Sequence, residues 1–433
     1  MPSAVADPAP APAAPADPET AVDEIAGAAR LVGALVDTLV GPIQDTHEGI
    51  VHRVVAGLGP VGTPVRVVHD AATGAAYGAV RGGARLAGGA AGAVVAAAGG
   101  GRDRRPISAH PRGAQALAFG SGLLGDWMDG RTDDLVVRLT VCHHGEPLPT
   151  EPAALVGALD APTDRIVVFV HGLAETPASW GWWPTDDEGQ AVPTYGERLA
   201  EVGWTPLEVG YNTGLPVTTS AEELAELIEG LVAAWPGPVA EVALVGHSMG
   251  GLVAGAACHR GLATGAGWVD HVSHVVTLGT PHAGSWLARL AHRGASTFGR
   301  LPETRGLASF LDLRSAGIRD LTRGRRPAAL GEGGGDDADE EADVEAEIVT
   351  LAALMPRARH AFVASSLGAG RRHPVAWLVG DGLVHPRSAT APARAARDAP
   401  NVVVRHHSRV GHLRLVHHPA VADDLVTWMG PRR

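Results

Sequence analysis

Residues 241–253 read Glu-Val-Ala-Leu-Val-Gly-His-Ser-Met-Gly-Gly-Leu-Val. A β-branched apolar run (Val242, Leu244, Val245) enters a G-x-S-x-G turn, and a small-residue run from Gly251 to Ala257 leaves it. A buried strand that passes into a helix through such a turn calls for a sheet with that helix packed on it. It also holds the central serine, Ser248, exposed at the strand's end. Gly246 and Gly250 flank the serine because backbone packs on backbone there and a Cβ would clash. The pattern by itself carries limited weight. With 57 Gly and 15 Ser in 433 residues, chance supplies roughly a quarter of one such match per chain. Its place between a strand and a helix is what makes it informative.

The rest of the chain agrees with that frame. From about Leu135, strands and helices alternate, the pattern of a mainly parallel sheet. Candidate strands are Leu135–Cys142, Arg165–Val170, Thr205–Tyr211, Val242–Val245, Val272–Leu278, Val375–Val379 and Val402–Arg405. A helix is expected over Ser220–Trp235, with Ser220 and Glu223 as a capping box and Leu224, Leu227, Ile228, Leu231 and Trp235 as its apolar face. A last helix starts near Pro419 and buries Val421, Leu425 and Trp428. The expected fold is α/β, a mostly parallel sheet flanked by helices, over residues 131–433. The stretch 285–361 breaks the rhythm and is read as a lid-like insertion, with an acidic low-complexity run at 332–347 as a solvated loop.

Residues 1–20 read as a disordered Ala/Pro tail and 21–130 as a helical appendage. Apolar stripes occur at Leu31–Ile43 and Ile50–Leu58; beyond Pro64 they dissolve into Gly, Ala and scattered Arg. Two uses of the appendage are open: packing on the main domain or on itself, which is favoured, or weak peripheral membrane or lipid contact. The net charge of −12 owes nine charges to the run 332–347, and all 35 basic residues are Arg, which reads as coding bias. No basic face for nucleic acid is expected. Cys142 and Cys258 fall in a strand and a helix; Met1–Thr20 has no signal-peptide pattern, and Leu86–Ala98 is too short and too Gly/Ala-rich to span a bilayer. A soluble cytoplasmic protein is expected; oligomeric state leaves no trace.

Acyl transfer by serine needs a base, a group to orient it, and donors for the oxyanion. The strand 165–170 ends in His171-Gly172-Leu173, a turn that can aim the Leu173 N–H into the site; the Met249 N–H would be the second donor. Asp381 sits between two glycines after Val375–Val379 and suits the orienting role, with an Asx turn as the competing explanation. His412 follows the last strand and Gly411 and is the candidate base. His406 and His407 lie at the strand end, and His417 and His418 look like capping or surface residues. These histidines match no defined metal-ligand spacing, and no metal or cofactor is expected.

The order Ser248, Asp381, His412 resembles the lipase/esterase branch of the α/β-hydrolases, near bacterial lipase-like proteins related to GPI inositol-deacylases. The resembling segments are Val168–Leu173, Tyr211–Gly214, Val245–Gly251, Leu278-Gly279-Thr280-Pro281-His282-Ala283-Gly284, Gly380–Val384 and Gly411–Leu413. The resemblance implies hydrolysis of a small-molecule or lipid carboxylic ester through an acyl-enzyme, without a cofactor. A thioesterase or acyltransferase, or a non-catalytic binding protein on the same fold, are the competing readings. Trp180, Trp182 and Trp183 could wall an apolar acyl pocket or equally serve packing.

Overall fold

The computed structural model describes residues 63–97, 111–128, 139–149, 151–182, 192–283, 357–369, 380–396 and 399–430, with isolated positions besides (36, 40, 44, 47, 48, 51, 52, 55, 190 and 355). Helices α1 (Thr63–Ala97) and α2 (Pro111–Met128) precede the sheet. A hairpin follows, β1 (Thr140–His143) and β2 (Glu146–Leu148), and then α3 (Pro152–Gly157). The alternating part runs β3 (Arg165–Val170), α4 (Tyr195–Ala200), β4 (Thr205–Gly210), α5 (Val217–Ala234), β5 (Glu241–His247), α6 (Met249–Thr264) and β6 (Val272–Leu278). It closes with β7 (Arg359–Ser366), short helices α7 (Pro386–Ala389) and α8 (Ala391–Ala395), β8 (Val402–Ser408) and α9 (Pro419–Met429).

The eight strands form one sheet in the order β2-β1-β4-β3-β5-β6-β7-β8. β1 is antiparallel to β2 and β4, and every other pair is parallel. Both faces are covered, which is why the central strands read as unbroken apolar runs rather than alternating ones. Ile166, Val168, Val170, Val242 and Leu244 pack with α5 and α6 on one face. Val167, Phe169, Ala243 and Val245 pack with Tyr195 and Leu199 of α4 and with Leu425 of α9 on the other. β5 lies between β3 and β6, so its carboxyl end opens where ligands bind in open parallel sheets.

The structure corrects several expectations. β7 was not foreseen: Arg359-His360-Ala361-Phe362-Val363-Ala364-Ser365-Ser366 mixes polar and small residues, although nearly all of them are buried. The insertion therefore ends before Arg359, and β7 lies between β6 and β8. Residues 370–379, most of the insertion and the acidic run lie outside the described residues. The helix expected at Ser220 begins at Val217 behind Pro216, so Ser220 is buried within it and no capping box forms. The first residues of the expected strand 135–142 and both N-terminal stripes also fall largely outside the described residues.

The Gly/Ala-rich segment beyond Pro64 is a continuous 35-residue helix, α1, which exposes Val65, Val67, Val68, Val80 and Leu86. Among the described residues, no helix is long and apolar enough to cross a membrane. α2 touches the main domain at Ala174 and Thr213: Gln115 Nε2 donates to the Ala174 carbonyl at 2.7 Å, and a Cβ on Gly122 would lie 3.2 Å from both Ala174 Cβ and Thr213 Oγ1.

Candidate active site

β5 turns into α6 at Ser248, whose φ of 50° and ψ of −123° put a non-glycine residue in a costly backbone region. The two flanking glycines make this turn passable. A Cβ on Gly246 would stand 2.5 Å from Gly251 Cα, and one on Gly250 would run into the carbonyl oxygens of Val170 and His171. Gly250 thus lets the first turn of α6 lie against the end of β3. Ser248 N–H donates to Leu278 O at 2.8 Å, which ties the elbow to β6. The serine is 9% exposed. Met249 opens α6, so its N–H belongs to the unpaired first turn at the positive end of the helix dipole.

The turn after β3 faces this elbow: a Cβ on Gly172 would lie 3.0 Å from Ser248 Cβ. Ala174 takes a φ of 59°. Its N–H donates to Thr213 Oγ1 at 3.1 Å, and Glu175 N–H donates to Gly172 O at 3.2 Å. Leu173 N–H has no hydrogen-bond partner among the described residues. His171 is buried and stacks on Tyr211, with ring centroids 4.7 Å apart; the Tyr211 hydroxyl donates to its carbonyl at 2.8 Å. Burial pushes the His171 imidazole below its ordinary value.

Asp381 and His412 meet. His412 Nδ1 donates to Asp381 Oδ2 at 2.8 Å, and both side chains are buried. The other oxygen, Oδ1, accepts from Leu383 N–H (3.0 Å) and Val384 N–H (2.8 Å). The carboxylate therefore forms its Asx turn and orients an imidazole at once; the two readings of Asp381 were not exclusive. His412 N–H also donates to Asp381 O at 3.0 Å. Gly279, next to the carbonyl that holds Ser248, has φ 60°, and a Cβ there would sit 3.1 Å from the His412 ring. Desolvation would lower the His412 pKa, but the Asp381 charge and hydrogen bond, with a contribution from Glu175, hold it above the ordinary value.

Glu175 and its partner His247 are what sequence reasoning missed. Both are buried, with His247 Nδ1 3.0 Å from Glu175 Oε1. Glu175 Oε2 accepts Gly172 N–H at 2.8 Å. Burial would raise this carboxyl, yet His247 and the Gly172 bond bring it to about 2. A lone acidic residue in a turn reads as exposed, and the x of G-x-S-x-G carries no rule, so the only signal was the run of apolar residues around each.

The remaining candidates separate. Trp180 is 3% exposed and packs on Phe169 at 5.0 Å, within the core opposite α6. Trp182 is half-buried against the same core, and Trp183 lies outside the described residues. His407 pairs with Asp424 (3.1 Å). His418 stands at the N-cap of α9, as the capping reading expected, although without a side-chain bond, whereas His417 is buried beside Tyr195, so the capping or surface reading fails for His417 alone. His406 lies on β8.

A mostly parallel, doubly covered sheet with a serine elbow after β5 is the fold of an α/β-hydrolase. Residues 216–300, from just before α5 through the elbow, match the family model of the PGAP1-like alpha/beta domain. Similar solved structures include the mature form of Bacillus licheniformis lipase BlEst2 (16% identity, TM-score 0.42, over 64% of this chain and 96% of that one). The Pyrococcus furiosus esterase PF2001 (19%, TM-score 0.37, 63% and 85%) and a thermophilic esterase from Thermogutta terrifontis (15%, TM-score 0.35, 62% and 90%) are others. A search of curated proteins finds no sequence match.

Proposed function

We propose that the protein is a serine hydrolase that cleaves carboxylic esters with an apolar acyl chain through an acyl-enzyme. The observation that carries this reading is the 2.8 Å Asp381–His412 bond, with the His412 ring 4.8 Å from the ring of His247, the residue before the strained Ser248. Nδ1 of His412 is committed to Asp381, so Nε2 is the nitrogen left for the Ser248 proton. Ser248 Oγ attacks the ester carbonyl carbon as His412 takes that proton. Asp381 fixes the tautomer and stabilises the imidazolium. The N–H groups of Leu173 and Met249 receive the oxyanion. The tetrahedral adduct collapses, the alcohol leaves with the proton from His412, and water, deprotonated by the same base, releases the acid.

The apolar preference is supported by Leu383 and Leu413, which adjoin Asp381 and His412 in sequence and are exposed, and by exposed Leu367, which packs 3.5 Å from the Cβ position of Gly411. A lipid or other apolar ester is the partner this rim fits. The test is hydrolysis of p-nitrophenyl esters of increasing chain length by the native chain and by Ser248→Ala. Medium or long chains preferred, with all turnover lost in Ser248→Ala, supports the reading. A flat profile, or acetate alone, removes the apolar preference, and turnover surviving Ser248→Ala removes the serine.

A further inference from the structure

Three turns have to be held in register for the proposed reaction: the elbow at Ser248, the turn His171–Glu175 that carries Leu173, and the loop of His412. Sheet hydrogen bonds end before all three. One pair of side chains joins them. Glu175 Oε2 accepts Gly172 N–H at 2.8 Å and faces His247 Nδ1 at 3.1 Å. His247 precedes Ser248, and its Nε2 lies 3.2 Å from the main-chain oxygen of His412. The His247 and His412 rings are 4.8 Å apart by centroid.

His247 is a bridge: its two ring nitrogens lie 3.1 Å from the Glu175 carboxylate and 3.2 Å from the main-chain oxygen of His412. The ring is fully buried, so these two partners and the His412 ring packed against it fix its orientation. His412 must become an imidazolium as Ser248 gives up its proton, and Glu175 adds to the field that favours that charge. Burying so polar a bridge is understandable where it joins three reacting turns. The titratable groups around His412 are Asp381 on its ring and His247 and Glu175 behind it, with His171 the remaining neighbour of the pair.

We propose that Glu175 is a positioning residue for the Ser248–His412 reaction and acts through His247, locking the oxyanion turn to the loop of the general base. The proposal rests on the serine-hydrolase reading above. Neither side chain touches substrate.

The test is a double-mutant cycle of Glu175→Gln, His247→Gln and the two combined. Each is assayed for kcat and KM with a p-nitrophenyl ester, per mole of enzyme shown to be folded by near-ultraviolet circular dichroism. Each single change is expected to lower kcat about 10- to 100-fold, the effect of small misplacements in an active site, with KM within about twofold. The combined change should lose no more than the worse single one, because the residues act as one unit. Single variants with kcat within twofold of the native enzyme, losses that multiply, or losses carried by KM overturn the proposal. If Glu175→Gln does not fold, His247→Gln carries the same expectation alone. A native enzyme without esterase turnover would instead remove the serine-hydrolase reading, which separates the two failures.

Discussion

Ser248 holds φ 50° and ψ −123° where an L-residue pays for the conformation. Such a backbone region costs on the order of 1–3 kcal/mol. Ser248→Ala keeps this cost and removes only Oγ, whereas Ser248→Gly removes Oγ and the Cβ that makes the region unfavourable. Glycine loses about 0.5–1 kcal/mol through its freer unfolded chain. Taking the middle of each range, the net advantage of Ser248→Gly over Ser248→Ala is about 1 kcal/mol, or roughly 2 °C in Tm for a domain of about 300 residues. The Ser248 N–H bond to Leu278 survives both changes and cancels in the comparison. Differential scanning calorimetry of the two variants, side by side, reads the difference. A Ser248→Gly variant that melts at or below Ser248→Ala refutes the claim that the elbow stores strain.

Other substitutions probe the neighbours of the elbow. Gly250→Ala drives a methyl into the carbonyls of Val170 and His171, so it should destabilise by about 1–3 kcal/mol and lower kcat about 100-fold, read by melting and by initial rates. Asp381→Asn should cost about 10⁴ in kcat. Since His412 works as a neutral base and Asp381 raises its pKa, the native acid limb of kcat/KM lies above the ordinary value of 6.5 and moves to lower pH in this variant. Gln115→Ala removes one bond from α2 to the oxyanion turn; at about 1 kcal/mol its ceiling is about a fivefold loss of kcat, measured against an unchanged KM.

The parts of this molecule legible in the sequence are those where one local pattern has one physical meaning. The apolar runs of β3, β5 and β6 can only be strands buried on both faces, and a glycine on either side of Ser248 answers a backbone contact with no room for a Cβ. Asp381 between glycines and His412 behind Gly411 were legible for the same reason, and the structure joins them. β7 was not legible, because its burial comes from β6 and β8 on either side and from the helices above, while its own residues include His, Ala and Ser. Ser220 looked like a cap, but Pro216 starts the helix one turn earlier. Glu175 and His247 could be recognised only once three turns distant in sequence came together.

The central claim is that Ser248 is a nucleophile activated by His412. Reaction with a fluorophosphonate, followed by mass-spectrometric mapping of the adduct, tests it most directly. A single adduct on Ser248, absent in Ser248→Ala and slowed at least 100-fold in His412→Ala, is the result the geometry predicts. A folded native protein that stays unlabelled, or one labelled elsewhere with Ser248 untouched, contradicts it.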